Sequence, residues 1–193
     1  MPRPKEFDPD QVLEKAMMAF WEKGYQATTV QDLVDRMGIN RFSLYDTFGS
    51  KHELFLSSLD RYFDGVVLKR LAELEDSGAG TAAIRHFFDG WVELLSSAKG
   101  RRGCFLINSA VELAPHDGAT KAKIKGNVER LKRAFQSALL RAQEKGELRS
   151  GTSPEVLATV LTGHVQGLSV LAKAGLPKGA MQRSCDALLS LLA

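Results

Sequence analysis

Residues 28–52 read TTVQDLVDRMGINRFSLYDTFGSKH, and the spacing of their apolar and capping residues predicts two short helices joined by a tight turn. Thr28 and Gln31 have the spacing of a capping box, so the first helix is expected to begin at Thr28 or one residue later. Gly38 ends that helix, because glycine adopts the left-handed backbone of a helix terminus at little cost. We therefore expect a compact pair of helices here.

The second of these helices is predicted over residues 41–48. Asn40 is a favourable N-cap for it, and Gly49 is a typical stop. Leu44 and Phe48 lie four residues apart, so they share one face and hold the helix against its neighbours. The remaining side chains of this helix are expected to point partly outward.

A short helix that follows a tight turn and is held by one face is typical of DNA-binding proteins, which insert such a helix into the major groove. Side-chain hydroxyls, helix N-termini and ammonium groups bind phosphates, and four residues have this chemistry: Thr28, Thr29, Tyr45 and Lys51. Arg41 or Ser43 is expected to reach base edges. Arg3 and Lys5, on an N-terminal arm, are expected to add backbone or minor-groove contacts.

The composition is that of an ordinary folded protein. Of the 193 residues, 44% are hydrophobic and 25% are charged, which excludes disordered and collagen-like classes. Six prolines and most of the 17 glycines fall between segments with helical apolar spacing. We predict an all-α protein of about nine helices, with a three-helix DNA-binding head over residues 1–55 and a helical bundle over residues 56–193.

The sequence also bears on location and charge. No apolar run approaches ~20 residues and the N-terminus lacks the pattern of a signal peptide, so we expect no membrane span and a cytoplasmic protein. The net charge is +3, but residues 1–60 carry seven lysines and arginines against ten aspartates and glutamates. A charge argument for nucleic acid would favour the wrong half of the chain, so the case for DNA binding rests on local geometry.

The region from residue 24 to residue 55 resembles the DNA-binding signature of the TetR/AcrR transcriptional regulators. The matching elements are Thr28-Thr29, Gly38-Ile39-Asn40, Leu44-Tyr45-Asp46-Thr47-Phe48 and Ser50-Lys51. The rest of the chain matches this family in architecture alone. The resemblance implies a regulator that binds double-stranded DNA, most often as a repressor.

The resemblance also implies roles for single residues. It implies phosphate contacts for Thr29, Tyr45 and Lys51. It implies base or near-base contacts for Arg41, Phe42 and Ser43. Asp46 and Thr47 are expected to lie along the groove. Phe42 departs from the family, which commonly has a small residue there. A phenyl ring suits a thymine methyl group, and the Asp46 carboxylate suits a cytosine amino group.

The last two helical segments carry apolar stripes with few charges. The residues expected at a dimer interface are Val160, His164, Leu168 and Leu171 on one segment and Leu188 and Leu192 on the other. Gly163 and Gly167, four residues apart, would let two helices approach closely. A core within one chain is the alternative role, but similarity to the family's four-helix dimer interface favours a homodimer, and its twofold symmetry predicts a palindromic operator.

Aromatic residues in the middle of the chain are candidates for an effector pocket, because the family usually binds a small molecule there. They are Phe63, Phe87, Phe88, Trp91, Phe105 and Phe135, together with Cys104. Simple core packing is the alternative role for each of them. The four histidines lack metal-ligand spacing, and the sequence contains no phosphate-binding glycine loop or nucleophile elbow, so no metal site and no cofactor are predicted.

Cys104 is also a candidate redox-sensing residue. It follows Arg101-Arg102-Gly103 and opens a predicted helix, and a helix N-terminus and nearby guanidinium groups both lower the pKa of a thiol. The alternative is a buried cysteine that packs as an apolar residue.

The sequence as a whole therefore favours a homodimeric repressor rather than an enzyme. A small-molecule effector, or thiol modification at Cys104, would release it from a palindromic operator. The alternative is a cysteine-dependent helical enzyme, or a ligand-binding protein without a DNA-binding role.

Overall fold

The structure, a computed structural model, describes residues 7–76 and 78–192; Arg3 and Lys5 lie outside the described residues. The described part of the chain contains ten α-helices, one π-helical segment and one 3₁₀ turn, and it contains no β-strand. The α-helices are α1 (Pro9–Lys23), α2 (Val30–Met37), α3 (Arg41–Phe48), α4 (Lys51–Tyr62), α5 (Lys69–Glu75), α6 (Thr81–Ser96), α7 (Phe105–Glu112), α8 (Gly118–Glu144), α9 (Pro154–Lys173) and α10 (Lys178–Ser190).

One long rod leads from the N-terminal helices into the rest of the protein. It begins with α4, continues through the π-helical segment Phe63–Leu68 and ends with α5. The sequence predicts a single α-helix that is capped by Ser50 and runs to about Glu75. This prediction has the right extent, but it does not include the π-helical turns. If α4, the π-helical segment and α5 are counted as one helix, the described part of the chain contains nine α-helices, the number expected. The all-α prediction is confirmed.

A capping box fixes the start of α2. The Thr29 hydroxyl accepts the Asp32 N–H at 3.0 Å, and the Asp32 carboxylate accepts the Thr29 N–H at 2.8 Å. The predicted box of Thr28 and Gln31 is therefore wrong by one residue. The reason is physical: the carboxylate is a stronger acceptor for the orphan N–H than the Gln31 amide.

A left-handed glycine sets the angle between α2 and α3. Gly38 has a φ of 73°, and Asn40 then caps α3 by accepting the Ser43 N–H at 2.8 Å. Leu44 is fully buried, and it is the one buried residue of α3, a helix that lies wholly within the described chain. The helix is thus held by one face, as predicted.

The remaining helices form a bundle. Helix α8 packs along α9, and α6 packs against α5, α8, α9 and α10. One continuous apolar core joins this bundle to α1–α4. The boundary expected after residue 55 falls inside α4, and it remains a prediction.

Helix α9 is, among the described helices, the one that is long and apolar enough to cross a membrane by length and composition. From its apolar runs, which stay short of ~20 residues, the sequence predicts no membrane span. Part of this helix is buried in the bundle, and the rest is an apolar face on the surface. The apolar residues of α9 therefore lie on two faces. The bundle covers one face, and the other is exposed on the single chain.

The burial of Leu44 gives a stability prediction with an internal control. We expect Leu44→Ala to lower the free energy of unfolding by about 2–5 kcal/mol, because it leaves a cavity under α3. Phe42, on the same helix, has 78% of its surface exposed, so Phe42→Ala should change the unfolding free energy by no more than about 0.5 kcal/mol. Urea unfolding followed by circular dichroism measures both; equal effects would contradict the one-sided attachment of α3.

Candidate nucleic-acid interface

The outward face of α3 is a mixed aromatic and polar surface. Arg41, Phe42, Tyr45 and Asp46 are exposed, and Ser43 and Thr47 are half-buried. These six positions surround most of the short helix, and Leu44 with the partly buried Phe48 holds the remaining side against the core; the Thr47 hydroxyl is shielded from solvent. The structure therefore brings together the six residues of α3 that the sequence suggested for DNA contact. Their individual roles remain predictions.

The threonine pair divides into one inward and one outward residue. Thr28 is completely buried, and its hydroxyl donates to the Gly24 carbonyl at 2.5 Å. The expected phosphate contact by Thr28 is therefore wrong, because this hydroxyl tightens the loop before α2. Thr29 is exposed at the N-terminus of α2, where a phosphate is stabilised by the helix dipole.

Lys51 is held at the start of α4 rather than extended into solvent. Its ammonium group lies 4.4 Å from the centre of the Tyr25 ring, a cation–π contact. Burial lowers the pKa of Lys51, although the carboxylates of Glu112 and Asp32 oppose this shift. The contact with Tyr25 holds the ammonium group beside the start of α4, and the phosphate contact of Lys51 remains a prediction.

Two other cations near the surface are already paired. Arg36 binds the Glu22 carboxylate through both guanidinium NH groups, and this hydrogen bond is the main reason that the pKa of Glu22 is lowered. Lys23 donates to Asp32 at 2.6 Å. Among the described cations of α2, α3 and the first turn of α4, Arg41 and Lys51 therefore remain without a carboxylate partner.

Four contacts connect the helix-turn-helix to the bundle, and we call them the junction. The Glu112 carboxylate at the end of α7 accepts the Tyr25 and Gln26 N–H groups at 3.0 and 2.8 Å. The other three contacts are Trp21 Nε1 to the Gly103 carbonyl at 3.0 Å, Arg102 to Glu22 at 2.9 Å, and His52 Nε2 to Asp117 Oδ1 at 3.1 Å. Sequence reasoning missed the junction, because most of its partners lie 80 or more residues apart.

An apolar face on α9 is the second unpaired surface. Val160 and Leu171 are exposed, and His164 and Leu188 are partly exposed, as a dimer interface requires. Leu168 and Leu192 are 1% exposed, so their assignment to a partner-facing stripe is wrong: they pack into the core of their own chain. The residues that complete the exposed face are Val156, Gly163, Gly167, Val170 and, on the chain after α10, Leu191.

Comparisons with known proteins match this arrangement. Residues 12–57 match the family model for bacterial regulatory proteins of the tetR family, and residues 80–188 match the tetracyclin repressor-like C-terminal domain. YezE of Bacillus subtilis (strain 168), an uncharacterised HTH-type transcriptional regulator, is 38% identical to this chain over 100% of both proteins. The chain belongs to the TetR family.

Two further relatives carry functional information. The HTH-type transcriptional repressor ComR of Escherichia coli (strain K12) is 34% identical over 90% of this chain and 83% of ComR. A cysteine mutant of the TetR-family regulator CifR, solved with 26-base-pair double-strand operator DNA, has a TM-score of 0.89 and 28% identity, and the match covers 99% of this chain and 100% of CifR. The chain is thus a DNA-binding transcriptional regulator, as predicted.

The predicted effector residues of this TetR-family protein fall into two groups. Phe63, Phe87, Trp91 and Cys104 line a cavity of the bundle. The others pack elsewhere: Phe105 lines the cleft beside the junction, and Phe88 stacks on Phe135 at a centroid distance of 5.8 Å. Packing, the alternative role, therefore applies to Phe88 and Phe135, whose rings are fully buried.

At Cys104, burial raises the pKa of the thiol more than the helix N-terminus lowers it. The thiol stands at the N-cap of α7, and burial raises its pKa, although backbone N–H groups and the Tyr62 hydroxyl favour the thiolate. Arg102 binds Glu22 and lies over the Trp21 ring. The predicted lowering of the Cys104 pKa is therefore wrong, because desolvation outweighs the hydrogen bonds.

The Glu112 contact gives a test of the junction. Glu112→Ala removes two charge-assisted hydrogen bonds, so we expect a loss of about 1–2 kcal/mol in unfolding free energy. The Tyr25 and Gln26 amides should also exchange hydrogen faster, because their acceptor is gone. Glu129→Ala, at an exposed position of α8, is the control and should alter neither quantity. Unchanged exchange at Tyr25 and Gln26 in Glu112→Ala would contradict the junction as described.

Proposed function

We propose that this protein is a repressor that binds a palindromic operator as a homodimer and leaves it when a small molecule enters the bundle. The observation that carries the proposal is the exposed surface of α3. This helix is anchored by one buried leucine, Leu44, and its exposed residues Arg41, Phe42 and Tyr45 are free to enter a groove. Two relatives support it, because ComR is a transcriptional repressor and CifR was solved in complex with operator DNA.

The division of labour on this surface follows from chemistry. Arg41 has the donors for a bidentate contact with guanine, and the exposed Phe42 ring suits the methyl group of thymine. Thr29, Tyr45 and Lys51 surround α3 with groups that bind phosphates. Because few free cations face the groove, each subunit gains modest electrostatic affinity, and a dimer doubles the phosphate contacts.

Arg41→Ala tests base reading directly. We expect a loss of about 1–3 kcal/mol in operator binding and a relaxed sequence preference at one position of each half-site. Fluorescence anisotropy with labelled DNA measures the affinity. Arg133→Ala makes the same change of charge on an exposed position of α8 and should leave affinity and preference unchanged. The base assignment falls if Arg41→Ala binds its operator as the original chain does.

The apolar face of α9 is the proposed dimer interface. Two copies of α9 with Gly163 and Gly167 at the crossing would approach closely, and Val156, Val160 and Val170 would then leave water. Such a dimer sets the two α3 helices at a fixed spacing. Recognition of two half-sites in successive major grooves requires a spacing near ~34–36 Å.

A charge placed in this face should separate the subunits. Val160 is 45% exposed, so Val160→Glu is tolerated in one chain but buries a carboxylate between two. We expect a monomer in light scattering and weak operator binding. Leu140→Glu on α8, at a position that is 46% exposed, is the matched control and should remain a dimer. A Val160→Glu dimer would exclude this interface.

Release by a small molecule is preferred to release by thiol chemistry. Cys104 is buried and its pKa is raised, so little thiolate is present at neutral pH. Thiol modification therefore stands as the second route, and an unaltered response of Cys104→Ser to an electrophile would remove it. We further propose that the protein acts in the cytoplasm and has no catalytic activity of its own.

A further inference from the structure

A narrow apolar cavity lies inside the bundle. Its walls come from the π-helical segment (Phe63 and Val67), α6, the start of α7, α8 and α9. Its volume, counted as the space open to the centre of a water molecule, is about 30 Å³. The cavity, which we call the slot, is therefore small and must widen to hold an organic ligand.

Two buried N–H donors on the walls of the slot have no acceptor among the described residues. Trp91 is 2% exposed, and its indole Nε1 lacks a hydrogen-bond partner. Asn127, on α8, is half-buried as a residue, but its amide Nδ2 is inaccessible to solvent and unpaired. An unsatisfied buried donor destabilises a protein, so two of them on one apolar slot indicate an acceptor that arrives from outside.

The other wall residues exclude a charged molecule. The lining contains no lysine, arginine, histidine, aspartate or glutamate; its polar members besides Trp91 and Asn127 are Cys104, Gln166 and Ser169. The Ser169 hydroxyl donates to the Val165 carbonyl at 2.8 Å, so it is already used. An ionised ligand would lose its hydration in this slot and gain no counter-ion.

We propose that the effector is a small, neutral, largely apolar molecule with one hydrogen-bond acceptor, such as a ketone, whose oxygen accepts from Trp91 Nε1 and Asn127 Nδ2. This inference deepens the proposed function and rests on it for the step of release. The apolar body of the ligand lies between Phe63, Phe87 and the aliphatic walls.

The π-helical segment connects the slot to the DNA-binding helices through α4. Phe63 and Val67 belong to the slot, and the segment continues without a break into α4, whose first turn carries Lys51 and His52. A π turn is a point at which a helix changes register, and such turns are frequent at functional sites. A ligand that widens the slot therefore displaces α4 against the junction.

Three probes of similar shape test the proposed chemistry. Acetophenone carries the acceptor, α-methylstyrene replaces its oxygen with a methylene group, and benzoate adds a charge. We expect calorimetry to show acetophenone binding at least about fivefold more tightly than α-methylstyrene, the effect of a neutral hydrogen bond, with benzoate the weakest. Equal affinity for ketone and alkene, tighter binding of benzoate, or no binding of acetophenone would overturn the proposal.

Variants assign the preference to the two donors. In Trp91→Phe the ketone preference should fall toward one, because the ring is kept and the N–H is lost. Asn127→Leu should reduce it independently, which keeps the test valid if Trp91→Phe unfolds. Trp21→Phe is the matched control, since the Trp21 N–H is bound to the Gly103 carbonyl, and the preference should persist. A full preference in both Trp91→Phe and Asn127→Leu would refute the assignment.

Operator binding separates this inference from the function on which it rests. A mobility shift without any probe tests the DNA-binding dimer alone, and its absence contradicts the proposed function whatever the calorimetry shows. If the operator is bound but the ketone preference is missing, the inference about the ligand fails and the proposed repressor stands.

Discussion

Edge-to-face packing of aromatic rings ties α1, α4 and α7 into one block. Phe55 of α4 lies between Phe20 of α1 and Phe105 of α7, at centroid distances of 5.2 and 5.8 Å. Tyr62, about two turns further along α4, joins Phe105 to Trp21 at 5.8 and 5.0 Å. Because buried rings pack at crystal-like density, α4 cannot tilt without moving both neighbours. The orientation of the DNA-binding helices therefore depends on the state of the bundle.

The 3₁₀ turn before α7 also links the N-terminal helices to α9, the helix of the proposed dimer interface. Gly103 accepts the Trp21 N–H, its φ of 74° is strained for any other residue, and an added Cβ would press against Lys173 and Ser169 of α9. Helix α9 thus contacts the backbone group that holds the N-terminal domain. Cys104 and Ser169 of the slot, helix α9 and Trp21 of α1 therefore lie around Gly103, so a small displacement at the slot reaches both α1 and α9.

Local chemistry explains which parts of this fold were predictable. The limits of α3 followed from Asn40 and Gly49, because caps act over three or four residues. The sequence could not separate Leu168 from Leu171, since which face of α9 meets the core depends on packing. It misjudged Cys104 for the same reason: the helix terminus is visible in the sequence, whereas the burial that raises the thiol pKa is not. The unpaired Trp91 donor has no sequence signal at all.

Selection of bound sites from random DNA by the purified dimer tests the central claim most directly. The account predicts an enriched palindrome whose half-sites lie about 10–10.5 base pairs apart, or a multiple of that, because two identical α3 helices must enter major grooves on one side of the duplex. Enrichment of a single asymmetric half-site, or of no sequence above background, would contradict it.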